Sequence, residues 1–346
     1  MILVVPTNTN TSSNDVRVEM LPMPRSRIRR MLVTGILAFR RASAANPAVY
    51  HVHDPELLFF AALLGLMGHV VIYDAHEDLG KTIGYKSYLP TWSRTVLAWA
   101  TRAIEGFLAN RCTAIIAATP GIKERFSGAS PPVVVVQNFP RLDEFPADVP
   151  TPERRQDFVV YLGSISEARG LLEMVRAMAI LKSPSVRLKL AGPFQCDPSA
   201  AQQEAGWEFV DALGTLNRSQ VRQLLGTCRV GLVVLHPEKN YVNSYATKMF
   251  EYMAAGVPVV ASAFPLWKRI VEESDCGILV DPKNPMEIAT AIGWFLANPK
   301  EAERLGRNGR EAVIRRFNWD AEQTKLLSLY QQITVSGTAG TRNSVL

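Results

Sequence analysis

The chain has 346 residues, of which 47% are hydrophobic and 20% charged, enough for two globular domains with developed cores. This composition excludes an intrinsically disordered chain. The net charge of +6 favours anionic ligands or an acidic membrane surface, and we predict no nucleic-acid partner because the arginines outside residues 25–30 are spread out.

The cysteines and the apolar runs predict the cellular compartment of the protein. Cys112, Cys196, Cys228 and Cys276 lie far apart without a CxxC pair, which excludes a zinc site of that type and a disulfide framework. No secretory signal opens the chain, and the longest apolar run, 57–68, is too short to span a bilayer. We therefore predict a cytoplasmic protein, with peripheral contact at the inner membrane face left open.

The start of the chain departs from the usual doubly wound pattern. Residues 1–6 and 16–21 predict extended segments joined by a polar loop, where a strand, a glycine-rich turn and a helix are normal. We expect the initial strand–helix unit to be missing and the exposed sheet of the first domain to self-associate. Residues 28–45 predict a helix, and the basic cluster at 25–30 is either a solvated face or an anionic-lipid contact.

Residues 48–73 predict a strand, a helix ending near residue 67 and a second strand. His76, Glu77 and Asp78 follow the second strand, at the sheet edge that lines the ligand crevice in open α/β folds. His76 is therefore a catalytic candidate as much as a structural histidine. His51 and His53 alternate along the first strand, and we expect at most one of them to face the crevice.

Residues 91–111 predict an amphipathic helix, with Trp92, Val96, Trp99 and Phe107 opposite Arg94 and other charged residues. Packing is the default explanation, and an interfacial membrane helix is the alternative. Strands at 114–119 and 133–137, with a helix at 120–126 between them, complete an α/β domain.

The segment 137–157 contains four prolines and predicts an extended connection between domains. After it come a strand at 158–162, a turn at 163–170 and a helix from Leu171, and further strands at 186–191 and 230–235 indicate a parallel sheet. The turn, GSISEARG, lacks the spacing of the P-loop and of the dinucleotide fingerprint, which argues against an ATPase or an NAD enzyme.

The stretch NSYATKMFEYMAAGVPVVAS at 243–262 predicts a helix, a tight turn and a buried strand. Lys248 falls in the first helical turn, where the helix dipole disfavours a cation by roughly 0.3–1 kcal/mol unless an anion binds there. Free N–H groups and Lys248 would cradle a phosphate, and Glu251 would accept hydrogen bonds from a ribose. An ordinary amphipathic helix with a solvated Lys and Glu is equally compatible with the pattern.

The segment KMFEYMAAGVPVVAS resembles the donor-binding helix of the GT-B glycosyltransferases of family 4, the glycosyl transferases group 1, which use nucleotide-sugar donors. The resemblance covers about residues 46–333. It implies an α/β fold of two Rossmann-like doubly wound domains facing a cleft. The implied divisions are an acceptor-side domain at 1–152, incomplete at its start, a donor-binding domain at 153–318, and a helix with a tail at 319–346 that crosses back to the first domain.

The resemblance also assigns residues to the donor. Two glutamates separated by seven residues flank the helix in this family; Glu251 matches the second, and Asn243 stands at the first. Lys248 matches a lysine on the diphosphate, Arg169 the second of two loop cations, and Ser164 stands at the first. His76 matches a histidine near the reacting sugar. The predicted catalytic residues are His76, Arg169 and Lys248, and the predicted donor-binding residues are Gly163, Ser164, Arg169, Gly192, Phe194, Leu216, Asn243, Ser244, Thr247, Lys248 and Glu251.

The resemblance implies a retaining, metal-independent transferase that moves a sugar from a UDP- or GDP-type donor to a glycan or lipid-linked acceptor, in cell-surface polysaccharide or glycoconjugate synthesis. No Asp-x-Asp pair is available to hold a metal, so we expect neither metal nor cofactor. A GT-B nucleotide-sugar epimerase is one alternative. A non-catalytic nucleotide-sugar-binding partner subunit is another, because Ser164 and Asn243 depart from the family pattern.

Overall fold

The computed structural model describes residues 1–6, 16–22, 33–84, 90–145, 149 and 151–340. The chain divides into two compact units: unit 1 is Met1–Gln137 with Gln323–Leu346, and unit 2 is Asn138–Glu322. Each unit contains its own parallel sheet with helices around it, which confirms the predicted α/β class with two Rossmann-like domains. Among the described residues, every helix is too short or too polar to cross a bilayer.

Unit 1 contains two parallel sheets. The extended segments predicted at the start form strands β1 and β2, whose pairing within the described residues is with each other, and four further strands form the main sheet in chain order. The predicted basic cluster at 25–30 lies outside the described residues. The strands are β1 (Ile2–Pro6), β2 (Arg17–Leu21), β3 (Tyr50–Val52), β4 (Val71–Ala75), β5 (Ala114–Ala117) and β6 (Val133–Val135).

The helices of unit 1 begin and end close to the sequence signals. Pro120 opens the last of them, and the Thr119 hydroxyl accepts a hydrogen bond of 3.2 Å from the Ile122 N–H. The helix predicted from residue 28 is described from Gly35. These helices are α1 (Gly35–Ala45), α2 (Leu58–Leu66), α3 (Leu79–Gly84), α4 (Thr91–Ala109) and α5 (Pro120–Arg125).

The main sheet of unit 1 packs on both faces, with the two-residue period of a strand. Val71 and Tyr73 of β4 pack with Leu64 of α2 on one face. Ile72, between them, points to the other face and packs with Leu329 and other apolar residues near the end of the chain. The segment that contains Leu329 and Ile333 therefore shares the core of unit 1 with strands β4 and β5.

Unit 2 contains six parallel strands in the order β12-β11-β10-β7-β8-β9. The chain adds β8 and β9 on one side of β7 and then returns to add the remaining strands on the other side. Parallel sheets of this kind bind ligands outside the strand ends where the order reverses, here beside β7 and β10. The strands are β7 (Phe158–Leu162), β8 (Arg187–Ala191), β9 (Val210–Gly214), β10 (Val230–Val233), β11 (Val259–Ser262) and β12 (Gly277–Val280).

Helices cover both faces of the second sheet. Asn217 and Gln220 form a reciprocal capping box at the start of α8, with both hydrogen bonds 2.9 Å long. The helix predicted within 319–346 runs from Trp319 to Gly340, and it belongs to unit 1 from Gln323 onwards. The helices are α6 (Leu171–Leu181), α7 (Ser199–Gln202), α8 (Arg218–Leu225), α9 (Lys239–Val242), α10 (Thr247–Ala254), α11 (Pro265–Ser274), α12 (Pro285–Ala297), α13 (Pro299–Arg315) and α14 (Trp319–Gly340).

Candidate functional site

The loop after β7 and the loop after β8 meet backbone to backbone at the strand-order reversal. Gly163 directly follows β7 with a φ of +102°, in the region that favours glycine. A Cβ on Gly192 would lie 2.0 Å from the Gly163 carbonyl oxygen, so only glycine fits there. A Cβ on Gly163 would lie 3.5 Å from Lys248 Nζ. The two glycines therefore bring the backbone close to the side chain of Lys248.

Lys248 is the second residue of α10, as predicted, and its ammonium group is the central feature of the site. Lys248 Nζ is buried and makes no hydrogen bond to any residue that the structure describes. It lies 3.4 Å from the centroid of the Tyr161 ring, as a cation–π contact. Burial, and then the nearby charge of Arg169, lower the pKa of Lys248 well below its ordinary value. The site thus holds a buried amine whose charged form has no hydrogen-bonded anionic partner among the described residues.

Arg169 supplies a second positive charge at the end of a short turn, Glu167–Arg169. Its Nε donates to the Tyr241 hydroxyl at 3.4 Å, and its Nη1 lies 3.5 Å from the Ser164 carbonyl oxygen. Both hydrogen bonds are long and neither acceptor is charged. The guanidinium therefore keeps capacity for a stronger, anionic acceptor.

The start of α10 adds backbone donors to these two cations. The residue before the helix, Ala246, has no side-chain oxygen and therefore cannot cap the first N–H groups. The helix is held in place from inside the core, because the buried Tyr252 hydroxyl accepts a 2.9 Å hydrogen bond from the Leu162 N–H at the end of β7. Anion-binding donors are thus held on a rigid element.

Glu251 lies one turn along α10 and is already engaged. Its Oε1 accepts a 2.7 Å hydrogen bond from Arg218 Nη1, and that guanidinium is also 3.7 Å from Glu144. Burial raises the pKa of Glu251, against the lowering effect of Arg218. Arg218 thereby fixes the orientation of the carboxylate.

A cavity of about 310 Å³ joins these groups. Six predicted donor residues line it: Gly163, Arg169, Ser244, Thr247, Lys248 and Glu251. Five others lie outside its lining. Gly192 packs on Gly163, and the Ser164 carbonyl contacts Arg169. The side chains of Phe194 and Leu216 pack against the core. Asn243 is exposed, just after α9.

Aromatic residues that the sequence did not single out also form this site. The Tyr161 ring makes the cation–π contact with Lys248, and the Tyr241 hydroxyl accepts the hydrogen bond from Arg169. The buried Trp267 donates a 2.7 Å hydrogen bond from Nε1 to the Ser244 carbonyl. Tyr161 sits in a strand that is apolar throughout, so no spacing signal marks it. Trp267 lies in the first turn of α11 (Pro265–Ser274), a helix that the sequence analysis did not predict.

A second polar cluster lies in unit 1, where His76 is found. Asp74 Oδ2 lies 3.4 Å from His51 Nε2, 3.2 Å from His53 Nδ1 and 3.5 Å from His76 Nε2. The prediction that at most one of His51 and His53 faces this edge is wrong, because residues two apart on a strand share a face. The Tyr330 hydroxyl hydrogen-bonds His51 Nδ1 at 2.7 Å.

The charge of Asp74 is stabilised by the three imidazoles. Burial alone would raise the pKa of Asp74, but the contacts with His51 and His53 outweigh it and hold the pKa well below its usual range. The hydrogen bond to Asp74 raises the pKa of His53, against the lowering effect of burial. The cluster is therefore an ionised carboxylate that favours a protonated imidazole beside it.

The same cluster does not fit a metal ion as it stands. The ligand atoms of His51, His53 and Asp74 lie within 4.8 Å of one another. The rings of His51 and His53, however, stack at 4.4 Å with 14° between their planes. Imidazole binds a metal through a lone pair in the ring plane, so two stacked rings cannot direct their lone pairs to one ion.

Comparison with known sequences covers most of the chain. The family "Glycosyl transferases group 1" matches residues 144–312, and the family "Glycosyl transferase 4-like domain" matches residues 3–138. The chain belongs to the GT-B glycosyltransferases of group 1. The segment that carried the resemblance, residues 248–262, falls within the first of these matches.

Relatives of this glycosyltransferase share modest identity. A D-inositol 3-phosphate glycosyltransferase of Xylanimonas cellulosilytica is 29% identical over 182 residues, 51% of this chain and 42% of the relative. The chain thus spans about two fifths of that relative's length.

Solved structures share the fold. Sucrose-phosphate synthase from Thermosynechococcus elongatus gives a TM-score of 0.72 at 21% identity, covering 97% of this chain and 89% of the other. Anabaena HepE in complex with UDP gives a TM-score of 0.67 at 16% identity, covering 91% and 86%. HepE is also known in complex with UDP-glucose.

Proposed function

We propose that this chain transfers a sugar from a UDP- or GDP-linked donor, bound in unit 2, to a glycan or lipid-linked acceptor in cell-surface polysaccharide or glycoconjugate synthesis. The single observation that carries the proposal is Lys248 Nζ, a buried amine without a hydrogen-bond partner among the described residues, in the cavity that Arg169 also lines. A diphosphate supplies the negative charge that both groups lack. The UDP complex of HepE supports the donor class.

In this proposal the cations act on the leaving group. As the bond between the sugar and the diphosphate breaks, negative charge develops on the phosphate oxygens, and Lys248, Arg169 and the first N–H groups of α10 stabilise it. In this proposal these donors supply the charge stabilisation that a metal ion supplies in other transferases, so we expect neither a metal nor a cofactor. Retention of the anomeric configuration follows from the family resemblance, with His76 orienting the sugar or the acceptor.

Calorimetric titration with UDP and GDP tests the donor site. We expect Lys248→Met or Arg169→Ala to weaken binding of the preferred nucleotide by roughly 10- to 150-fold, the effect of losing a charge-assisted hydrogen bond. Lys268→Ala is the matched control, because Lys268 is an exposed lysine of unit 2 whose Nζ lies 3.8 Å from Glu272. Unchanged affinity in both site variants would remove the basis of the diphosphate assignment.

Proton linkage sharpens this test. The pKa of Lys248 is lowered in the free protein, and a bound diphosphate would raise it. Binding therefore takes up a proton at pH values between the two pKa values, and affinity falls as pH rises through that window. Titrations in buffers of different ionisation enthalpy measure the uptake, which Lys248→Met should abolish.

The variant should also remain folded. Because the pKa of Lys248 is lower in the folded than in the unfolded chain, the charged lysine costs stability below its unfolded pKa. Lys248→Met removes that cost, so its free energy of unfolding should not fall, and lost binding cannot be attributed to unfolding.

Transfer itself is tested with a panel of donors and acceptors. We expect turnover to persist in EDTA, and a rate that collapses in EDTA and returns with magnesium or manganese would refute the cation-only mechanism. Donor turnover without any acceptor would instead indicate an epimerase or a hydrolase. Tight donor binding without turnover would indicate a partner subunit.

A further inference from the structure

Two helices of unit 1 expose an unusual set of large apolar side chains. Trp99 of α4 is 72% exposed and Leu66 of α2 is 67% exposed, values typical of charged residues. The exposed apolar residues of these helices are Phe59, Leu63 and Leu66 of α2, with Met67 just after it, and Val96, Leu97, Trp99, Ile104 and Phe107 of α4. A set of this size on two helices marks an interaction surface rather than isolated exposure.

The two helices touch where this set is densest. A Cβ on Gly65 would lie 1.9 Å from the Arg111 carbonyl oxygen, so the end of α2 packs directly on the backbone that follows α4. Leu66 and Met67 come immediately after Gly65. The Arg111 guanidinium lies 4.9 Å from the centroid of the Phe107 ring. The apolar residues of both helices therefore meet beside an arginine.

Helix α1 extends this surface. The Phe39 ring of α1 packs on the Phe60 ring of α2 with 5.5 Å between centroids. Arg40 and Arg41, next to Phe39, are exposed. The three helices α1, α2 and α4 thus form a connected layer, with basic residues next to the apolar ones.

The three helices carry mainly positive charge, although Asp54 and Glu56, just before α2, are also exposed. The ranges of α1, α2 and α4 contain one acidic residue, Glu105, and it is only 2% exposed. Glu105 is neutralised inside unit 1 by an ion pair with Arg125 and a 2.9 Å hydrogen bond from the Tyr73 hydroxyl. The basic residues of the layer are Arg40, Arg41, Arg94, Arg102, which also lies 3.7 Å from Asp78, and Arg111 after α4.

Exposed aromatic and aliphatic side chains flanked by arginines, on helices that expose no acid along their own length, are the composition of helices that lie in a membrane interface. A second copy of this layer would bring like charges together, which disfavours self-association through it. We propose that α1, α2 and α4 of unit 1 dock on an anionic lipid bilayer, with Trp99 and Phe107 inserted at the headgroup level and the arginines contacting lipid phosphates. The proposal does not depend on the chemistry in unit 2.

Vesicle co-sedimentation of the full chain tests this proposal. We expect binding to vesicles of phosphatidylcholine with phosphatidylglycerol, and much weaker binding to phosphatidylcholine alone. Trp99→Ser with Phe107→Ser should reduce partitioning by about tenfold for each side chain removed from the interface. Trp294→Ser is the matched control, because Trp294 is a 39% exposed tryptophan on α12 of unit 2. Thermal melts by circular dichroism confirm that each variant is folded.

Two further variants locate the contact. Arg40→Gln with Arg41→Gln should remove most of the preference for anionic over neutral vesicles. Brominated lipids should quench tryptophan fluorescence in the parent chain and in Trp294→Phe, and much less in Trp99→Phe. Equal binding by the Trp99→Ser, Phe107→Ser variant would overturn the proposal. So would a dimer in solution that disappears in that variant without any vesicle binding, since a second copy would then cover the surface.

Discussion

Trp267 of unit 2 and Trp99 of unit 1 lie in opposite environments. Trp267 of unit 2 is fully buried and lines the cavity beside Lys248, whereas Trp99 of unit 1 is 72% exposed. Unit 2 encloses Trp267 and Tyr161 beside Lys248, while unit 1 presents Trp99 and Phe107 on a helical surface with arginines nearby. The difference accords with our two proposals, in which unit 2 holds a small charged ligand and unit 1 meets a larger surface.

The same substitution in both units should give the largest contrast. Trp267→Ala should lower the free energy of unfolding by about 3–5 kcal/mol, because it leaves a large core cavity. Trp99→Ala should change that free energy by less than about 0.5 kcal/mol, since the side chain loses little buried contact. Denaturant unfolding monitored by circular dichroism measures both. A large decrease in the free energy of unfolding for Trp99→Ala would mean that Trp99 is buried in solution and would contradict the difference between the two tryptophans.

A smaller expected effect distinguishes the ribose part of the proposed ligand in unit 2 from its diphosphate part. If Glu251 accepts hydrogen bonds from a ribose, Glu251→Gln should weaken UDP binding by about tenfold and leave pyrophosphate binding unchanged. Lys248→Met should weaken both. Glu251→Gln also weakens the 2.7 Å contact between Arg218 and Glu251, and Arg218→Ala is the control that measures the effect of losing this contact alone. An equal loss of pyrophosphate affinity in Glu251→Gln would place this carboxylate in the phosphate part of the site instead.

The smallest expected effect concerns the histidine cluster of unit 1. Because the folded pKa of His53 lies above the ordinary value of 6.5, the stability that its protonation contributes is present below that pH and is lost as pH rises through the folded pKa. Asp74→Asn should return the His53 pKa toward its ordinary value. Titration of the imidazole resonances by NMR measures the change, with His69, also in unit 1, as the reference. An unchanged His53 titration would show that Asp74 does not control it.

The sequence predicted most strands and the longer helices in their order because these elements carry a clear period, but it missed α11 (Pro265–Ser274). It placed Lys248 in the first turn of its helix correctly. Gly163, Arg169 and Lys248 belong to separate elements, and only family resemblance suggested that they act together. The structure brings the three residues into one cavity.

Other contacts had no signal along the chain. Arg218 and Glu251 are 33 residues apart, and nothing in either helix indicates that they pair. Asp74 falls inside an apolar strand and was passed over in favour of His76. Tertiary packing alone decides that three histidines surround it. The apolar face of α4 was open to both interpretations because periodicity does not tell which side of a helix is covered.

The placement of Leu329 and Ile333 against Ile72 and Ile116 sets an order for folding during synthesis. Unit 2 is complete in sequence at Glu322, but one face of the main sheet of unit 1 lacks these partners until residue 333 leaves the ribosome. At roughly 5–20 residues per second, Ile116 waits some 10–40 seconds for Leu329. The unit that is synthesised first is therefore finished last, and its apolar sheet face is the part of the nascent chain that a chaperone would need to protect.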